Sequence, residues 1–148
     1  MGMMAATSGG TSTAQFGQAF REAVSDPSIG AIVIDVDSPG GAVQGTAELW
    51  QIIMDARGTK PVVAVANSLA ASAAYWIATA ADEIVVTPTG QVGSIGIIVA
   101  HEDQSGAQGK AGVKTTLITA GKRKAMGHPF AELSEEDRAA LQDRVDTY

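Results

Sequence analysis

Apolar positions along the chain fall into two kinds of run, which predict alternating helices and strands. Phe16, Ala19, Phe20, Ala23 and Val24 recur at helical spacing, so an amphipathic helix is expected over Thr13 to Ser25, closed by Asp26-Pro27. Ala31-Ile32-Val33-Ile34 is a short continuous apolar run, the signature of a strand buried in a parallel sheet, and the turn-rich Asp35-Val36-Asp37-Ser38-Pro39-Gly40-Gly41 ends it. A second helix places Val43, Ala47, Trp50, Ile53 and Met54 on one face and stops near Gly58. The strand Pro61-Val62-Val63-Ala64-Val65 then leads through Ala66 and small residues to Ser72 and a helix over Ala73 to Ala80.

Glu83 to Thr87 reads as a third strand and Gly96 to Val99 as a fourth, with the glycine-rich loop Pro88 to Gly96 joining them. His101 to Gly112 is weak helix or loop, and Lys114 to Thr119 is a fifth strand candidate. After Gly121-Lys122-Arg123-Lys124 and a proline-containing loop, Ser134-Glu135-Glu136-Asp137 opens a last helix with a capping-box pattern, Leu133 being placed to staple it. Strands alternating with helices predict an α/β domain with a largely parallel sheet.

Composition narrows the chemistry. A length of 148 residues with 45% hydrophobic content suits one domain with a real core. Ten basic against sixteen acidic residues, a net charge of −6, argue against nucleic acid or an anionic membrane as the main partner. With no cysteine there is neither a disulfide framework nor a thiolate metal site. The apolar run Leu69 to Ala81 is too short to span a bilayer. Met1 to Thr13 lacks the charged and apolar blocks of a signal peptide and reads as a flexible Gly/Ser/Thr-rich lead-in. The chain stops at Tyr148 without a helix stop signal, so a domain over residues 14–148, trimmed at its ends, is expected.

Four patches could carry a reaction. Ser72 lies at a strand-to-helix junction among Ala70, Ala71, Ala73 and Ala74, where free helix N–H groups favour negative charge and the Ala73 amide could donate to an oxyanion. Capping the helix is the commoner use of such a serine. Ser38-Pro39-Gly40-Gly41 follows a strand and precedes a helix, the place where α/β sheets bind ligands, and a Gly40 or Gly41 amide could face a substrate; a tight turn is the plainer alternative. A serine nucleophile needs a base. His101, with Asp103 near it in sequence, and His128 are the two histidines. A lysine can serve instead where desolvation and nearby positive charge favour its neutral form, and Lys122, Arg123 and Lys124 cluster after Gly121. Ser94, between Gly93 and Ile95-Gly96, could hydrogen-bond such an amine.

These patches, in this order, resemble the signal peptide peptidase A-type (protease IV-like) serine peptidases, and in particular their short phage branch of prohead proteases. The resemblance rests on Ser38-Pro39-Gly40-Gly41, on Leu69-Ala70-Ala71-Ser72 with Tyr75, on Gly93-Ser94-Ile95-Gly96, and on Gly121-x-x-Lys124-x-x-x-x-Pro129 followed by Leu133-Ser134-Glu135-Glu136. It implies a ClpP/crotonase-like fold of repeated β-β-α units. By position, it implies Ser72 as nucleophile, Lys124 as general base and Ser94 as the serine orienting that lysine. Gly41 and Ala73 match the oxyanion-hole amides, with Gly40 and Ala71 beside the substrate. It implies an extended polypeptide substrate, no metal or other cofactor, and a homo-oligomer in which serine and lysine can come from adjacent subunits.

The family usually has Gly-Gly after the nucleophile where this chain has Ala73-Ala74, and its usual first strand is missing or reduced to Met1–Thr7. A cytoplasmic or phage-assembly location, or peripheral attachment to a membrane, fits the resemblance. Three other readings use the same residues: a non-catalytic scaffold subunit, a crotonase-type acyl-CoA enzyme, and a ClpP-like Ser-His-Asp peptidase with His101 as base.

Overall fold

The computed structural model describes residues 10–148, so the expectations for Met1–Thr7 lie outside the described residues. Two compact units divide the chain, the first ending at Gly96 and the second being Ile97–Tyr148.

In the first unit α1 (Thr13–Ser25) is bounded by Ser12, whose hydroxyl accepts from Gln15 N, and by Asp26. Lys60 Nζ bonds the carbonyls of Ala23 and Asp26 at its C-terminal end, where a cation suits the helix dipole. Strand β1 (Ile32–Ser38) is longer than expected. Its last residues alternate Val36 inward with Asp35 and Asp37 outward, a period of two that outweighs their turn-like composition. Helix α2 (Thr46–Met54) buries Thr46, Leu49 and Ile53, so its inner face is rotated from the expected one: Ala47 is exposed and Leu49 takes its place. Gly17 of α1 packs against Ile52, where a methyl would come within 3.0 Å of the Ile52 side chain, so glycine permits close approach of the two helices.

Strand β2 (Val62–Ala71) extends past the expected end at Ala66 to the residue before Ser72. It pairs in parallel with β1 from Ile32↔Val62 to Val36↔Ala66, then resumes at Ser38↔Ala70. One β1 residue, Asp37, thus faces three of β2, Asn67, Ser68 and Leu69, an irregularity that bends the strand. Helix α3 (Ala73–Ala78) follows; it is two residues shorter than expected. Strand β3 (Glu83–Val86) lies along Val63–Ala66, and β4 (Gln91–Gly93) along Leu69–Ala71, both parallel to β2. Between them the Thr87–Gly90 turn sits opposite the β2 irregularity: Thr87 donates through N (3.2 Å) and Oγ1 (3.1 Å) to Ala66 O, satisfying a carbonyl the bulge would otherwise strand.

The core gathers Phe20, Leu49 and Ile53 from the helices and Ile34, Val36, Val62, Ala64, Ala66 and Ala70 from the sheet. This is the expected α/β class, with a parallel sheet.

In the second unit the short helix α4 (Ser105–Lys110) and α5 (Glu135–Asp146) are the regular elements among the described residues. Ser134 caps α5 through Asp137 N at 3.1 Å, as its sequence predicts. The strands expected over Gly96–Val99 and Lys114–Thr119 do not form. Strand preference measures the fit to a neighbour, and among the described residues neither segment pairs with one; Ile98 and Ile118 are exposed.

Candidate active site

Ser72 stands where β2 ends and α3 begins, with φ 51° and ψ −124°. A non-glycine residue held there costs on the order of 1–3 kcal/mol and persists only when its surroundings enforce it. Enforcement is visible on both sides. Ser72 N donates to Gly93 O at 2.8 Å, and Ser72 O accepts from Trp76 N at 2.9 Å. The helix-cap alternative fails, because the Ser72 side chain makes no capping hydrogen bond to α3. The hydroxyl is left for other work, on a half-buried residue flanked by buried Ala71 and Ala74.

The turn after β1 is packed onto this junction. Gly40 has φ 102°, and a methyl on it would lie 2.7 Å from Ser72 Cβ, 2.8 Å from Ala71 O and 3.0 Å from Ala73 N. Only a residue without a side chain lets the two backbones come this close. Gly40 N also donates to Ser38 Oγ at 3.2 Å, which holds the turn. Gly41 differs: a methyl there would meet nothing within 4 Å. Four of the expected residues, Gly40, Ala71, Ser72 and Ala73, are thus in direct contact, with Gly41 next in the chain.

Ser94, with φ 53°, follows the glycine whose carbonyl holds Ser72 N, so the Gly93–Ser94 peptide joins the same cluster. The part of Gly93 was missed from the sequence; its φ of 130°, accessible to glycine, is the trace it leaves there as the glycine before Ser94.

Lys124 belongs to the second unit, in the turns that follow Gly121; its N–H donates to Gly121 O at 3.1 Å and the residue is exposed. Of the three neighbouring cations, Lys122 is engaged by Glu136 at 2.9 Å, a hydrogen bond that holds the Glu136 carboxyl below the usual range. Both histidines are occupied within the second unit. His101 Nε2 lies 3.0 Å from His128 O, a contact that makes it the donor nitrogen, and His128 Nδ1 accepts from Phe130 N at 3.1 Å. Asp103 accepts from Ser105 N at 2.8 Å at the start of α4, and its bonds to Ser105 lower its pKa. In the first unit Asp82, one of the carboxylates nearest α3 in sequence, accepts from Val62 N at 2.8 Å. Among the described residues no group of three or more histidine, cysteine or carboxylate side chains is arranged to hold a metal.

Strained serine, glycine turn and adjacent helix amide stand together in an arrangement that acyl transfer could use: a hydroxyl with backbone N–H groups beside it. Comparison with known proteins points the same way. Residues 55–148 match the family described as Peptidase family S49. Capsid assembly protease C of Escherichia phage lambda is 41% identical over 126 residues, covering 85% of this chain and 29% of the phage protein. Head-tail preconnector protein GP5 of Enterobacteria phage P21 is 37% identical over 126 residues, 85% of this chain and 25% of that protein. A putative signal peptide peptidase SppA of Enterococcus faecium is 30% identical over 121 residues, 81% of this chain and 35% of that protein. The chain therefore spans between a quarter and about a third of the length of these relatives. Its parallel α/β sheet agrees with the ClpP/crotonase-like fold of the family, and the chain belongs to peptidase family S49, the signal peptide peptidase A-type serine peptidases with their phage branch.

Proposed function

We propose that this chain is the catalytic part of a serine endopeptidase that cuts unstructured polypeptide with a Ser72–Lys124 dyad. The observation that carries the reading is the Gly40–Ser72 contact, which sets a strained, uncapped serine against two backbone turns. In the reaction, Lys124 Nζ takes the hydroxyl proton as Ser72 Oγ attacks the peptide carbonyl. The amides of Gly41 and Ala73 hold the oxyanion. Collapse breaks the C–N bond, the Lys124 ammonium protonates the leaving amine, and water then hydrolyses the acyl-enzyme with the lysine again as base. Ser94 orients the lysine amine. An extended substrate passes over Gly40 and Ala71, where small side chains leave shallow room for small apolar groups.

The capsid protease of phage lambda supports a role in phage head maturation, with the signal-peptide peptidase relative supporting membrane-protein turnover as its counterpart. Either role uses the same chemistry on the same kind of substrate. A homo-oligomer, with the dyad completed between adjacent subunits, accompanies this reading.

Ser72→Ala and Lys124→Ala are each expected to lower cleavage of denatured casein by at least about a thousandfold while leaving the circular dichroism spectrum unchanged. Full activity in either variant overturns the dyad. Mixing the two inactive variants tests the subunit arrangement: restored activity requires a dyad shared between chains, and none is restored if each chain completes its own. His101→Gln separates the histidine alternative, because it leaves a Ser–Lys enzyme active.

A further inference from the structure

Resting on the reading of Ser72 as nucleophile, we propose that Arg57 is a positioning residue for it, acting from the opposite end of α3. This helix has six residues and a length of about 9 Å, too short to hold its own place. Its end tightens into short turns, in which Ala80 N bonds Ile77 O and Ala81 N bonds Ala78 O, both at 3.1 Å. The chain then leaves for β3, so the carbonyls of Thr79, Ala80 and Ala81 follow one another without helical donors. One guanidinium serves all three: Arg57 Nε donates to Ala80 O at 3.0 Å, and Nη2 to Thr79 O at 3.1 Å and Ala81 O at 2.6 Å.

The same corner is tied to the start of β2. Asp82 N donates to Val62 O at 2.9 Å, Val62 N returns a bond to Asp82 Oδ2 at 2.8 Å, and Asp82 Oδ1 lies 4.0 Å from Arg57 Nε. Trp50 of α2 adds a bond from Nε1 to Thr79 Oγ1 at 3.0 Å. Val62 begins β2 and Asp82 follows α3, so the segment between them is a closed loop with Ser72 midway along it. Arg57 and Asp82 fasten its base; the φ of 51° at Ser72 is held at its apex. If the base slackens, α3 can shift and Ser72 can relax out of its positive-φ conformation. A lysine cannot replace the arginine, because one ammonium lacks the planar fork that reaches three carbonyls.

The test uses the full chain as wild type, Arg57→Lys, Arg57→Ala and Ser72→Ala, at a temperature where circular dichroism shows each one folded. Amide hydrogen exchange is followed by NMR at Ser72 and, as a core reference, at Ile53, beside kcat and KM on denatured casein. Arg57→Lys is expected to speed Ser72 exchange at least tenfold with Ile53 unchanged, and to lower kcat at least tenfold with KM within twofold. Wild-type exchange and kcat in Arg57→Lys overturn the proposal, as does equal acceleration at Ser72 and Ile53, which marks a contribution to overall stability alone. Arg57→Lys decides the matter if Arg57→Ala does not fold. An active Ser72→Ala variant overturns the peptidase reading instead, and the exchange at Ser72 still decides whether Arg57 holds it.

Discussion

Two adjacent glycines show how unequal neighbours can be. Gly40 touches Ser72, Ala71 and Ala73 so closely that a methyl has no room, whereas Gly41 faces open space. Gly40→Ala must therefore move the turn or the serine, and we expect it to lower turnover by at least about a hundredfold, the scale of a misplacement near 1 Å at a reacting centre. Gly41→Ala is expected to fold with wild-type stability, since nothing meets the added methyl and its φ lies outside the left-handed region. Any activity it loses then reports the bound substrate, either in the space that glycine leaves open or at the Gly41 amide. Thermal unfolding and peptidase assays on the two variants separate these outcomes. The motif Ser38-Pro39-Gly40-Gly41 was legible in the sequence, but the two glycines could not be told apart there, because Ser72 is far along the chain.

At the scale of elements, the periodicity of α1 was read correctly, whereas the inner face of α2 and the end of β1 were not. Helix α1 has its predicted bounds, since its apolar spacing, its serine cap and Asp26-Pro27 all agree. Aspartates, serine, proline and glycine after Ile34 suggested an early turn, yet Val36 remains an inward residue of β1 and carries the strand to Ser38. In α2 the buried face runs through Thr46, Leu49 and Ile53. Ile53→Ala should therefore cost about 2–5 kcal/mol in denaturant unfolding, while Ala47→Gln, on the exposed side, should stay within about 0.5 kcal/mol of wild type. Comparable losses at both positions would show the helix rotated to the face expected from sequence. The extension of β2 to Ala71 was hidden by Asn67 and Ser68, polar residues that form an irregularity inside the strand instead of ending it.

For the whole molecule, charge sets the response to acid. Hydrogen bonds from Ser28 hold Asp26 below the usual carboxylate range, those from Ser105 do the same for Asp103, and Lys122 does so for Glu136. A carboxyl whose folded pKa is depressed contributes stability that is fully present above its unfolded pKa and is lost as pH falls through the folded value. The melting temperature should accordingly decline on acidification below the ordinary carboxylate range, and Asp26→Asn should flatten that decline. All three groups are solvent-exposed, so each contribution is small and that of the Lys122–Glu136 pair should shrink in high salt. An acid profile unchanged by Asp26→Asn would remove Asp26 from this account.

The sequence by itself determined the α/β class, the order of the elements from α1 to β3 and the family, because helical and strand periods are local properties and the four patches keep their spacing along the chain. It also singled out Ser72, though as a serine whose commonest use is to cap a helix. Only the tertiary structure decided that the cap is not made, that Gly40 in the turn after β1 and Gly93 at the end of β4 enclose the serine, and that the strands expected over Gly96–Val99 and Lys114–Thr119 do not form. The physical reason is common to all three: each depends on which backbone atoms distant in sequence come within hydrogen-bonding or van der Waals range, and no local pattern of residues encodes that.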